Sequence, residues 1–431
     1  MANISNLPPE ILLQIFVRYC ETETQHNFID NVANVCRHWK ELCTEASLWN
    51  IFDGTLPFET LLDFSCREYL RHTEILIFSK LTKSPKVKDV KLIYQNMPEV
   101  KTVNLSNIMK TEFYKMKIPF TFVSELVVYC PKLQEIILND ANPLHDFVPS
   151  RLMFKGFFTL RGSDLISVDF SNSSGYSFLE LFNIIGSTCP NLEQLKAYNL
   201  RKNYGHPIFS IEHMQNGLPK LKVLHLGYPV EFECNHFKTT DGFRELTTFS
   251  HPCIENGRYE LNEVKFKKLL MKSPHLKELD IQGFSFVTAL NIYSLPTANL
   301  EKLNVSDTKL CLSDDFDNVL QRWNHSLIEL DVSHEQESTI NGCLVSFASS
   351  GSLKNLVSLY LYNTSVTMST VKMIIENCPK LNYLLLQSCA DIMEQLRCAH
   401  EGEGAIKKLA LDAEIFIFNE QDFNLLKLIV V

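Results

Sequence analysis

Cysteine and histidine are the side chains best suited to hold a metal or to act as nucleophile and base, and this 431-residue chain has thirteen of each. One segment gathers four of them, in Cys234-Asn235-His236 and His251-Pro252-Cys253. Two cysteines and two histidines could bind zinc. However, Cys-x-His is a tighter spacing than structural zinc pairs use, so the expectation is two loop cysteines and two surface histidines. No glycine-rich phosphate loop and no Gly-x-Ser-x-Gly turn is present, and no Cys/His pair sits in a nucleophile signature. The sequence therefore predicts no catalytic residue, no metal and no cofactor.

A second set of functional candidates comes from a repeated apolar frame. Leu-x-x-Leu-x-Leu recurs with clear copies beginning at Leu192, Leu221, Leu276, Leu300, Leu327, Leu356 and Leu381, and weaker ones at Val100, Leu133, Leu165 and Ile406. The step from Leu221 to Leu276 is about twice the usual one and predicts a degenerate repeat near Phe243 to Phe249, or a long loop. The last two apolar positions alternate as on a strand with one buried face. Residues flanking them point to the open face, which places Asp280, Glu329, Asp331, Tyr360, Tyr362 and Tyr383 there as candidate target-binding residues. Amphipathic aromatics on an exposed sheet are common interface anchors. The alternative is that the carboxylates keep the surface soluble and the tyrosines cover a folded-back tail. Between the strands lie helical stretches such as Ser177 to Ser187 and Thr370 to Asn377. No strand–helix unit can bury its own apolar face, so neighbours must stack.

The first fifty residues follow a different pattern. Leu7-Pro8-Pro9-Glu10 opens a helix, since proline is tolerated in a first helical turn. Ile11, Leu12, Ile15, Phe16 and Tyr19 form one helical stripe, and Val32, Val35, Cys36, Trp39, Leu42 and Cys43 a second. The apolar residues outnumber what two short helices can hide from each other. The unit is therefore either a cap on the array or a surface for a partner helix.

This segment resembles the F-box motif. Its opening is carried by Leu7-Pro8-Pro9-Glu10-Ile11-Leu12-Leu13-Gln14-Ile15-Phe16, its middle by Val35-Cys36-Arg37-His38-Trp39 and its close by Leu48-Trp49. The repeats resemble the cysteine-containing leucine-rich repeats of F-box proteins. Their Cys-Pro-x-Leu entry is matched at Cys130-Pro131-Lys132-Leu133, Cys189-Pro190-Asn191-Leu192 and Cys378-Pro379-Lys380-Leu381. The resemblance implies an α/β chain: a three-helix F-box over residues 1–52, a linker with irregular first repeats over 53–96, and leucine-rich repeats with a C-terminal end piece over 97–431. The repeats would form a horseshoe solenoid with parallel strands concave and helices convex.

By the same resemblance, Leu7, Pro8, Ile11, Leu12, Ile15, Phe16, Val35, Cys36, Trp39 and Trp49 would bind a Skp-type adaptor or form the small core behind that surface. Through the adaptor the chain would join a cullin–RING ubiquitin ligase. It would then be a non-catalytic substrate receptor that promotes ubiquitination and degradation of a target protein. The alternatives are a non-degradative scaffold or a repeat-only binding module.

Composition is compatible with this reading. With 45% hydrophobic and 21% charged residues the chain can pack, and a formal charge of −9 disfavours general nucleic-acid binding. No apolar run approaches the length needed for membrane insertion, and the tail Leu425 to Val431 suits a closing strand or packed end piece. The start has no basic-then-apolar leader, so reduced cysteines in cytoplasm or nucleus are expected.

Overall fold

A computed structural model describes residues 7–22, 25–54, 58–67, 69–78, 86–106, 120–139, 148–173, 180–200, 207–227, 230–235, 239–253, 261–284, 286–313 and 315–429. The chain divides into two compact units, Met1–Phe209 and Ser210–Val431.

The first unit opens with three helices, α1 (Pro9–Thr22), α2 (Gln25–Val32) and α3 (Arg37–Leu42), and a 3-10 turn at Ala46–Leu48. Strands and helices then alternate: β1 (Ile51–Gly54), α4 (Phe58–Cys66), β2 (Ile75–Phe78), α5 (Val87–Gln95), β3 (Thr102–Asn104), α6 (Phe120–Tyr129), β4 (Glu135–Ile137), α7 (Val148–Arg161), β5 (Ser167–Asp169), α8 (Leu181–Thr188) and β6 (Gln194–Ala197). β1 to β6 pair in sequence order, every pair parallel. A short β7 (Ile208–Ser210) lies at the boundary.

The second unit continues with α9 (Ile211–Gly217), β8 (Val223–Leu226), β9 (Glu231–Glu233), β10 (Thr248–Ser250), α10 (Glu263–Leu270), β11 (Glu278–Asp280), α11 (Ala289–Tyr293) and β12 (Lys302–Asn304). It ends with α12 (Phe316–Arg322), β13 (Glu329–Asp331), α13 (Ile340–Ser349), β14 (Ser358–Tyr360), α14 (Met368–Asn377), β15 (Tyr383–Leu385), β16 (Ala399–Glu401) and α15 (Glu403–Ile429). β8 pairs with β10, and β10 to β15 follow in order, all parallel; β16 closes the edge antiparallel to β15.

The apolar frame builds these ladders. Leu279, Leu303, Leu330, Leu359 and Leu384 stand in register on successive strands and are buried, while their neighbours on each strand are half-exposed. Strands β2 to β6 and β10 to β15 are entered the same way. Two consecutive N–H groups donate to one carbonyl of the preceding repeat, as Glu74 and Ile75 do to Asn50, and Lys277 and Glu278 to Thr247.

Five strands, β3, β5, β11, β12 and β13, also end alike. Asn104, Asp169, Asp280, Asn304 and Asp331 each accept, through a side-chain oxygen, the N–H two residues on. A left-handed residue then turns the chain, namely Asn172, Gly283, Asp307, His334, Asn363 and Ser388. At Gly283 the turn leaves no room for a side chain, because a Cβ there would sit 2.0 Å from the Cys253 carbonyl. The entry cysteines Cys189 and Cys378 cap α8 and α14 through N–H bonds to Ile185 and Ile374. They are buried, and burial pushes their thiols up to about 11 and about 12.

Three expectations change, and one open alternative resolves. The segment 53–96 is no linker: it carries α4, β2 and α5, and the ladder begins at β1. The expected irregularity of the first repeats lies in their slots, which hold Trp49 and Phe52, then Thr73 and Leu76, in place of paired leucines; all four are buried.

The long step after Leu221 resolves to a repeat, β10, whose slots are Leu246, Phe249 and His251. The weak copy at Ile406 is helix instead. Ile406, Leu409 and Ala413 are buried at helical spacing on α15, which packs beside α14. The C-terminal stretch is helical to Ile429, not a strand, and no helix among the described residues is long and apolar enough to cross a membrane.

Candidate functional site

Chemistry at the Cys234–Cys253 segment is decided by His251. Expected at the surface, it occupies the third apolar slot of the β10 repeat and is 3% exposed, with Phe232 at 4.9 Å and Phe284 at 5.3 Å between ring centroids. Among the described residues its Nδ1 has no hydrogen-bond partner, and burial pushes the imidazole down to about 3. Cys234 and Cys253 are half-buried, and His236 lies outside the described residues. Among the described residues no three of His, Cys, Asp and Glu converge as metal ligands.

A consequence for stability follows. Above an ordinary histidine pKa of about 6.5 the ring is neutral folded and unfolded. As pH falls below that value the unfolded chain takes up a proton that the folded chain refuses until about 3, so stability drops. Urea unfolding at pH 7.5 and 5.0 should show wild type losing about 2 kcal/mol more than His251→Leu. Equal losses would show that His251 is solvated in the folded chain.

The N-terminal helices separate residues that the sequence left together. Leu12, Phe16, Trp39 and Trp49 are buried, so their side chains belong to the small core. Phe16 meets Phe28 at 5.5 Å and Trp39 at 5.1 Å edge-on, and Phe28 meets Trp49 at 6.5 Å. Cys20 and Cys43 belong to the same interior, and burial raises their thiols to about 11 and about 12.

What α1 shows to solvent is the flank of its apolar stripe, Ile11 (41% exposed) and Ile15 (39%), one turn apart, with the exposed Pro8 just before the helix. Leu7 is half-buried at its start. Val35 and Cys36 are exposed in the turn between α2 and α3, where the Cys36 sulfur accepts the Trp39 N–H and caps α3. Apolar side chains of this size left open on a small helical unit are what a docking surface would use.

An F-box-like family profile matches residues 4–53. An F-box-like domain opens the chain. Leucine-rich repeats follow it, by the frame and the ladders described above. A search of curated proteins by sequence returned no match. Among solved structures the chain is similar to one chain of the complex of Rad7 and Elc1 in yeast, at 15% identity over 90% of this chain and 83% of that one, with a TM-score of 0.48. It is also similar to the leucine-rich-repeat-containing protein LegL7 from Legionella pneumophila (12%, 78% and 96%, 0.38) and to the leucine-rich repeat domain of APL1B (13%, 79% and 82%, 0.35).

Downstream of the F-box-like domain, the second unit presents two rows of side chains on the open face of its sheet. One runs Thr248, Glu278, Lys302, Glu329, Ser358, Tyr383; the other Ser250, Asp280, Asn304, Asp331, Tyr360, Leu385. All six candidate target-binding residues are half-buried, but they do not form one group. Tyr360 and Tyr383 lie together with ring centroids 5.2 Å apart. Tyr362 sits beyond the strand against His334, at 5.0 Å. Asp280 takes the Ser250 hydroxyl at 2.7 Å, and burial raises both Asp280 and Asp331 above the usual carboxylate range.

Lys302 bonds to Glu278 at 3.2 Å, leaving Glu329 outside that pair. The C-terminal elements continue the array as β16 and α15, and the tyrosines remain half-exposed. Sequence reading missed Thr248 and Ser250 on this face, readable only through the Leu246-x-x-Phe249 frame, and Glu401, whose strand has no such frame.

Proposed function

We propose that the chain is the substrate-recognition subunit of a Skp–cullin–F-box ubiquitin ligase. The observation that carries this reading is the F-box-like domain at residues 4–53, with an apolar helix face left open at Ile11 and Ile15. The adaptor docks on that face. The open sheet of the second unit holds a target protein.

The receptor itself needs no catalytic group: held beside a charged ubiquitin carrier, the target lysines meet it as a tethered reactant at high effective concentration. Cytoplasm or nucleus, where such ligases act, is its proposed place. Buried repeat thiols raised to about 12, as at Cys130 and Cys378, suit packing and not nucleophilic attack.

Affinity purification of the full chain tests the proposal. A Skp-type adaptor and a cullin–RING subunit should co-purify near stoichiometry, and proteins enriched on it under proteasome inhibition should be stabilised when the chain is depleted. Absence of the adaptor would refute the ligase role. Adaptor binding with no stabilised protein would leave a scaffold and refute degradation.

A further inference from the structure

The Tyr360–Tyr383 pair is bracketed by carboxylates on both sides. On one side lies β13, where Asp331 is the register partner of Tyr360 and Glu329 stands in the row of Tyr383 with only Ser358 between. On the other lies β16, where Glu401 is directly opposite Tyr383 and so shares its face of the sheet. With strands about 4.8 Å apart, each carboxylate lies within about two strand spacings of the ring pair, Glu329 and Glu401 on its opposite flanks.

The charge is not a by-product of the fold. Asp331 ends its strand by accepting the Ser333 N–H, but Asn304 does the same with a neutral side chain on the next strand. Glu329 and Glu401 make no ion pair among the described residues. Nearby the only ammonium on these rows is Lys302, already bonded to Glu278. Two adjacent aromatic faces ringed by three carboxylates, of which Glu329 alone shares the nearby Lys302 ammonium, carry net negative charge; they attract a cation and repel an anion, and they hold a cationic side chain better than a purely apolar one.

The geometry points to a cationic side chain as what this end of the sheet takes: an arginine or lysine within a basic stretch of the target lies over the Tyr360–Tyr383 pair, with Glu329, Asp331 and Glu401 around it. This rests on the reading of the repeats as the part that holds the target. The tyrosine ring supplies the contact and its hydroxyl does not, and salt weakens the interaction.

The test uses the full chain and an array of synthetic twelve-residue peptides in a Gly/Ser background. Central positions carry arginine or lysine, and matched peptides carry citrulline, norleucine or glutamate instead. Arginine or lysine peptides should bind at least tenfold more tightly than their citrulline and norleucine counterparts. Tyr360→Phe should keep that binding. Tyr360→Leu, and Glu329→Gln with Glu401→Gln, should each lose it at least tenfold with unchanged thermal unfolding.

Equal binding of norleucine peptides would mean an apolar anchor and overturn the inference. So would no binding at all, loss in Tyr360→Phe equal to that in Tyr360→Leu, or indifference to the paired glutamine change. Adaptor co-purification is measured on the same preparations. Its loss with peptide binding retained would refute the F-box reading alone; the reverse would refute this inference alone.

Discussion

Ile11→Asp combined with Ile15→Asp should abolish co-purification of the adaptor while leaving the chain's thermal unfolding within a degree or two of wild type. Both side chains are about 40% exposed on α1, so neither fills the core. Fully burying an isoleucine from water contributes roughly 1.5–3 kcal/mol, so covering the exposed part of two contributes roughly 2 kcal/mol. Placing two carboxylates in that contact adds an unpaired buried charge, which costs several kcal/mol more. The expected loss of affinity is therefore well over a hundredfold.

Leu12→Ala, on the buried side of the same stripe, is the control. It should lower stability by about 2–5 kcal/mol and reduce adaptor binding only as far as it unfolds the helices. Measured side by side, the two variants separate contact from packing. If the double aspartate variant kept its adaptor while Leu12→Ala lost it in a still-folded chain, the exposed face of α1 would not be the docking surface.

This partition shows what the sequence could and could not disclose. Helical spacing placed Ile11, Leu12, Ile15 and Phe16 on one broad stripe, and the stripe is real. Periodicity reports that residues are apolar, not whether this chain or another one covers them. Leu12 and Phe16 fall inside, against Phe28 and Trp39, while Ile11 and Ile15 fall just around the helix, outside.

The repeats were legible wherever leucine fills the slots, as at Leu303, Leu330 and Leu359. They were hidden where another residue takes the same place. His251 is the plainest case. It reads as a polar loop residue or a metal ligand, yet it is an apolar-slot residue that the fold keeps neutral. Ile406 shows the converse: Ile406-x-x-Leu409 is common to the strand frame and to one side of a helix, and here the helix takes it. On the open face, spacing correctly set Tyr360 and Tyr383 on the same side, but Glu401 was out of reach. Its strand runs antiparallel, and only the register brings it opposite Tyr383.

Trp49→Ala should be the most destabilising single change in the first unit, by about 3–5 kcal/mol. The residue has two roles at once. It closes the F-box-like motif, and it fills the first apolar slot of the ladder, two residues before β1. Its ring reaches Phe28 of α2 on one side; on the other it stacks on Tyr69 at 5.2 Å and meets Phe64 of α4 edge-on at 5.8 Å. Its indole N–H donates to the Cys43 carbonyl at 2.6 Å, and its own carbonyl accepts the buried Thr73 hydroxyl at 2.9 Å.

Removing the ring therefore leaves a cavity between helices and repeats and orphans the Cys43 carbonyl. The loss should reach both sides: hydrogen exchange should speed up in α2 and α3 and equally in β1 and β2, and adaptor affinity should fall although no contact residue is altered. Trp49→Phe keeps the stacking and loses the indole bond, so it should recover more than half of the stability. Protection lost only in α1 to α3, with β1 and β2 unchanged, would mean that the F-box-like helices and the ladder fold as separate bodies and that Trp49 belongs to the helices alone.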